Sequence, residues 1–560
     1  MARMSPLALL AMTVSIVAPP AHGQEPKADL VLRGATVHTM DARQPRVEAV
    51  AVRGNRIVAV GANADVAAWI APTTEVLELT GQTVIPGFKE SHGHFLGVGF
   101  ARMNVDLVGT RSLQEVLDRV AMALRSAKPG EWIVGRGWHE GKWTDTTTLT
   151  ARGFPTHHAL TRLAPDNPVY LTRADGHAAF ANAKAMELAG ITKDMRSPEG
   201  GDVIKDSTGA PTGIFVDRAM GLVRVPDPTR DQTRRALDLA IEECLAKGVT
   251  AFDDAGVGLD AVDLYKEYAA NGRLPLRLYV MLRGLDTVKR FGRPLVGFGG
   301  GMLTVRAVKL SADGALGSRG AALLEPYVDD PGTSGFFTTP PEVVLETARY
   351  CLEHGFQLCV HAIGDRANRM VLDSFERALA AHPEVKDPRF RNEHAQILDA
   401  QDIPRFAKLG VIAAMQGIHA TSDRPWAASR LGEARVAEGA YVWRKLLASG
   451  ARIINGTDAP VEDVDPVKSF YASVTRQDES GRPPGGFDPD QRMTREEALR
   501  SYTLDAAYGT FTERDLGSIE VGKLADFTVL SADIVTVPDA EILNARVTHT
   551  IVDGKVRYRK

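Results

Sequence analysis

Cysteine is scarce in this chain, with only Cys244, Cys351 and Cys359 among 560 residues. Three are too few for a disulfide scaffold or a cysteine-built metal site. Charge of one sign is not in excess either: 66 Lys+Arg against 70 Asp+Glu leave a net of -4. That balance gives no electrostatic case for nucleic acid or for a membrane surface as partner. Beyond the N-terminus no segment resembles a membrane-spanning helix, which needs ~20 apolar residues. No GxGxxG or Walker pattern accompanies Gly299-Gly300-Gly301, so those glycines read as a turn rather than a phosphate cradle. What remains is ordinary globular composition, 44% hydrophobic and 24% charged, which excludes disorder, collagen and coiled coil. The length suggests about two to four domains on a prior of ~100–200 residues each.

The first residues read as an address. Arg3 gives a positive start, Leu7 to Ala18 is apolar, and Ala21-His22-Gly23 offers the small residues that precede a cleavage site. Residues 1–23 are therefore expected to be a signal peptide. The run is short for an anchor, and no cysteine follows it to carry a lipid. A periplasmic or secreted product without a membrane anchor is the expectation.

Residues 24–85 hold short alternating segments punctuated by glycine, among them Asp29 to Gly34, Ala49 to Gly54, Arg56 to Gly61 and Glu75 to Leu79. The same texture returns in residues 511–560, at Ala525 to Leu530, Val547 to Asp553 and Gly554 to Tyr558. Such alternation predicts antiparallel strands. Neither end can bury a core alone, so one small β-sandwich built from both termini is expected.

Residues 86–510 change character, with short apolar runs followed by helical stretches. Eight runs stand out: Lys89 to His92, Thr250 to Asp253, Leu278 to Leu282, Val305 to Leu310, Gln357 to His361, Phe390 to His394, Ile412 to Gln416 and Ile453 to Asp458. Alternating strands and helices predict an α/β fold with a parallel sheet, and eight repeats predict a closed (β/α)8 TIM-like barrel. About 101–228 is too long for one repeat. An insertion after the first strand would lie over the barrel mouth, as a substrate-enclosing lid or a packed subdomain.

Chemistry in such a barrel sits at the C-terminal strand ends. The first run ends in His92-Gly93-His94, whose two imidazoles share one face of an extended strand. The fifth ends in His361, the sixth in His394 and the eighth in Asp458. Four imidazoles and a carboxylate suit a borderline divalent metal such as zinc. Lys309, on the fourth run, reads two ways: a lysine salt-bridged to Asp313, or a buried neutral amine able to take up carbon dioxide.

The segment Pro86-Gly87-Phe88-Lys89-Glu90-Ser91-His92-Gly93-His94 resembles the first-strand motif of the amidohydrolase superfamily. Lys309 to Arg319, Val360 to Ala367, Asn392 to Gln396 and Gly456 to Pro460 are similar to the later motifs of a branch that includes N-substituted formamide deformylase. Gly522 to Asp526 is similar to the returning strand of that superfamily's small β-domain. The resemblance implies two divalent metal ions, most simply zinc. His92, His94 and Asp458 would hold one, and His361 and His394 the other, with carboxylated Lys309 and a hydroxide between them. It further implies hydrolysis of a non-peptide C–N bond of the amide or formamide type in a small molecule, with Asp458 as general base and acid. Glu90 departs from the Asp many relatives carry before the HxH pair, and reads as a buttress.

Deamination, or hydrolysis of a lactone, ester or carbamate, would use the same residues. An exported binding or regulatory protein without turnover is a further reading, disfavoured by the complete ligand set. In the insertion, Arg136, His139, Arg173 and His177 are candidates for binding substrate. Cys359, two before His361, reads as a buried filler deeper in the barrel. A homo-oligomer is left open.

Overall fold

The computed structural model describes residues 27–150 and 152–560; the expected signal peptide lies outside them. Eight parallel strands form the central sheet in chain order: Phe88–Gly93, Val249–Val257, Arg277–Arg283, Leu303–Ser311, Gln357–Ala362, Arg391–His394, Ile412–Gln416 and Ile453–Gly456. Each of the eight runs read from the sequence falls on one of these strands. The ends of the sheet meet. The Asp458 amide donates to the His92 carbonyl at 2.8 Å, and the His94 amide to the Ala459 carbonyl at 2.7 Å. The result is an α/β barrel of the TIM type.

Both faces of a parallel strand are covered, so its sequence is a near-continuous apolar run rather than an alternating one. Arg277–Arg283 and Gln357–Ala362 show this, being buried almost throughout. Cys359 packs in a fully enclosed cluster with Ala255, Tyr279, Met281 and Ala307, the filler role its spacing suggests. Helices Pro341–His354 and Asp365–Ala381 lie outside. The first starts on a proline, whose missing N–H costs nothing there, and stops at Gly355 in the left-handed region.

The terminal strands Leu30–His38, Arg46–Arg53, Arg56–Gly61, Glu75–Glu78, Thr83–Pro86, Phe527–Leu530, Val547–Val552 and Lys555–Arg559 hydrogen-bond into one sheet. Its two chain ends join where Phe527–Leu530 pairs antiparallel with Thr83–Pro86. The sheet branches at Leu30–His38, which pairs with Glu75–Glu78 along its first half and Thr83–Pro86 along its second. Arg277 of the barrel clamps Asp526 through two hydrogen bonds of 2.7 and 3.0 Å, fixing the returning segment to the barrel.

The insertion has a six-stranded sheet of its own, running in space from Val105–Asp106 through Ile133–Trp138, Val169–Arg173, Ala178–Ala181 and Pro211–Asp217 to Gly201–Lys205. A separate core around Trp138, Val116, Val120 and Phe180 supports it.

Helix Phe95–Met103 begins directly after His94 and packs on helix Arg230–Ala246. A Cβ on Gly99 would lie 1.7 Å from the Ala236 carbonyl oxygen. Gly99→Ala is therefore expected to cost about 1–3 kcal/mol as the helices are pushed apart. Urea denaturation reads this directly, and an unchanged midpoint would contradict the packing.

Candidate active site

The strand ends bring His92, His94, His361, His394 and Asp458 together at the C-terminal end of the barrel. Asp458 Oδ1 lies 3.2 Å from His94 Nε2 and 3.6 Å from His92 Nε2. The His394 ring centre is 4.8 Å from that of His92 and 4.5 Å from that of His361. The ligand atoms of His92, His394 and Asp458 all fall within 4.8 Å of one another. This trio spans both ligand groups that the resemblance implies. His394 and Asp458 hold positive φ values of 72° and 57°, a strain of about 1–2 kcal/mol each for a side chain of this kind.

Three of the four imidazoles have Nδ1 engaged. His92 Nδ1 pairs with the Glu393 carboxylate. His94 Nδ1 donates to the Ala255 carbonyl at 3.0 Å, and His394 Nδ1 to Gln416 Oε1 at 2.8 Å. An imidazole held this way presents its other nitrogen to a metal with fixed orientation. Burial pushes His92, His361 and His394 below the usual imidazole range, which keeps them neutral and ligand-competent. Burial opposes ionisation of Asp458, yet the surrounding histidines hold its carboxyl well below the usual range. Asp458 Oδ1 and His361 Nε2 are buried without a hydrogen-bond partner. Two orphaned donor atoms inside a nitrogen and oxygen ligand set fit a divalent cation.

Asp313, the partner of a salt-bridged Lys309, is engaged elsewhere. It accepts backbone N–H groups from Ala322, Ile363 and Gly364 at 2.8–3.0 Å. Burial pushes the Lys309 amine below its ordinary range, with Glu393 and Asp458 opposing. That direction favours the neutral amine that carbamate formation requires.

Behind these side chains runs a buried chain of charges. Arg391 grips Glu393 with bonds of 2.7 and 2.9 Å and Asp253 at 2.9 Å, and Asp253 pairs with Lys89. Burial would raise the Glu393 carboxyl, but Arg391 and His92 bring it well below the ordinary range. Glu90 accepts from the Thr457 amide at 2.7 Å and its hydroxyl at 2.9 Å. It ties the first strand to the segment before Asp458, the buttressing its position suggests. Burial pushes its carboxyl up to about 8.

A cavity opens onto this cluster. Its wall includes His139, Lys142, Asp175 and His177 from the insertion, Leu316 after the fourth strand, and His419, Asp423 and Trp426 after the seventh. The insertion therefore contributes one wall of the cavity. Of its four candidate binding residues, His139 and His177 reach the cavity, whereas Arg136 and Arg173 do not line it. Arg173 is locked behind the wall by Glu140, at 2.8 and 2.9 Å, and by Asp175. Arg136 donates to the Ala174 carbonyl at 2.7 Å and supports the loop carrying His177. His177 is oriented by Asp217 at 2.5 Å, its ring 5.1 Å from that of His361.

A model described as "Amidohydrolase family" matches residues 75–558. The chain is 32% identical to "Putative amidohydrolase YtcJ" of Bacillus subtilis over 95% of its length and 99% of the relative's. It is 31% identical to "N-substituted formamide deformylase" of Arthrobacter pascens over 95% and 98% of the two chains. A crystal structure of an uncharacterized metal-dependent hydrolase from Pyrococcus horikoshii superposes with a TM-score of 0.73 at 27% identity, covering 91% of this chain and 99% of that one.

Proposed function

The chain belongs to the amidohydrolase family, and on that premise we propose that it hydrolyses a non-peptide C–N bond, of amide or formamide type, in a small molecule. The observation that carries this reading is the convergence of Asp458 with His92, His94, His361 and His394 at a cavity on the C-terminal end of the barrel. His92, His94 and Asp458 would hold one divalent ion, and His361 and His394 a second, with carboxylated Lys309 between them. Bound ions supply Lewis-acid polarisation of a carbonyl and bring the pKa of water from roughly 15.7 to about 7.

The rest is the work of the chain. Asp458, ionised at neutral pH, takes the proton of the attacking water and returns it to the departing nitrogen. Gln416 and the Ala255 carbonyl keep the His394 and His94 rings in one orientation. The insertion walls one side of the cavity and limits competing water. The sequence similarity to an N-substituted formamide deformylase supports C–N bonds over lactones or esters.

A panel of N-substituted formamides, amides, esters and lactones, assayed with and without chelator, tests the assignment. Chelation is expected to abolish formamide or amide hydrolysis and metal to restore it. Preferred ester turnover, or activity indifferent to chelation, would overturn it. Lys309→Ala is expected to lower metal occupancy, with partial recovery on adding a short carboxylic acid. Metal analysis of the variant checks this, and full loading without the acid would contradict a bridging lysine.

A further inference from the structure

Helix Gly417–Leu431, after the seventh barrel strand, presents His419, Asp423 and Trp426 to the cavity. Their spacing of four and three residues places them on one helical face. His419 stacks parallel to His394 with ring centres 6.2 Å apart, so this face begins one layer from the metal ligands. Asp423 lies one turn, ~6 Å, farther along the axis.

The polar groups of this face are unusually ill-satisfied by the protein. His419 Nε2 and Trp426 Nε1 are buried without a hydrogen-bond partner, in side chains that are both 8% exposed. Asp423 accepts at Oδ2 from the Tyr441 hydroxyl at 2.9 Å and from Gln396 at 3.4 Å, both neutral donors. The other wall carboxylates have basic partners: Asp175 has Arg173, Glu462 has Lys142 at 3.5 Å, and Asp458 has His94 at 3.2 Å. Asp423 is in no ion pair among the described residues. Asp423 is half-buried, and Lys142 on the same wall acts on it only through space, outside ion-pair distance; a ligand that brings a cation into contact offsets the cost of that partly desolvated carboxylate. The indole of Trp426, three residues on, offers an aromatic surface that also favours a cation.

We propose that Asp423 and Trp426 form a subsite for an ammonium group on the arm of the substrate that does not react. The substrate class is then a C–N compound carrying a protonated primary or secondary amine roughly one helical turn beyond His419. This specifies the substrate of the cavity described above and rests on that cavity being the substrate site, but its test needs no turnover.

Calorimetric titration of the metal-loaded protein with ω-phenylalkylamines of one to four methylenes, against the matching alcohols, reads the subsite directly. At least one amine is expected to bind at least tenfold tighter than its alcohol. Asp423→Asn should remove that preference and leave alcohol binding unchanged, while Glu462→Gln retains it. No amine preference in the wild type would overturn the proposal, as would its loss in Glu462→Gln but not in Asp423→Asn. If Asp423→Asn does not fold, the wild-type and Glu462→Gln titrations still decide. Failure of the hydrolase reading would appear separately, as no turnover across the formamide and amide panel.

Discussion

Asp458→Asn is expected to retain metal and lose about 10²–10⁴-fold in kcat, the range that proton transfer by a positioned side chain supplies. Asparagine preserves the shape and one ligating oxygen, so a purely structural role would leave turnover nearly intact. It cannot accept a proton at neutral pH. The native carboxylate is prepared for that task because His94, at 3.2 Å, and the other site histidines hold it ionised against burial. Steady-state kinetics on the variant, with metal content measured on the same sample, separate the two roles. Near-normal turnover at full metal loading would remove Asp458 from the chemistry.

Arg391→Met is expected to be the most destabilising single change near the site. Arg391, Glu393 and Asp253 are each 0% exposed, and Arg391 is the cation between the two carboxylates. Removing it leaves like charges buried together, at a cost of about 3–5 kcal/mol. Glu393 also orients His92, so metal affinity should fall by about 10–100-fold. The pH dependence has a definite sign. In the native protein the Glu393 carboxyl is depressed, so its contribution is fully present above the unfolded value of about 4.3 and is lost as pH falls through the folded value. The deficit of the variant should therefore be largest at neutral pH and shrink below about pH 4. Denaturation at several pH values measures it; a deficit that is small or grows on acidification would contradict the buried chain.

The barrel and the convergence of the site's side chains at one end of it are legible because both follow from local pattern. Strand ends carrying His92, His94, His361, His394 and Asp458 can be read without knowing how the sheet closes. Their supports could not be read this way. Glu393 stands next to His394 in sequence, yet its partner His92 is 301 residues away, and only barrel closure joins them. Charged residues inside apolar strand runs, Lys89, Asp253 and Arg391, were a readable signal that buried pairing was needed, but not of which pairs.

Arg173 shows the opposite failure. Read alone it offers a cation to a substrate, but Glu140 and Asp175 consume it. Thr83–Pro86 was missed as a strand because four residues ending in proline give too little alternation. His419, Asp423 and Trp426 were missed because helical spacing says nothing about which face meets a cavity.

Anomalous diffraction from crystals of the protein grown with its native metal tests the assignment most directly. Transition-metal peaks within coordination distance of His92, His94, His361, His394 and Asp458 are the expected result. Peaks absent from that cluster, with metal bound elsewhere or not at all in active protein, would contradict it.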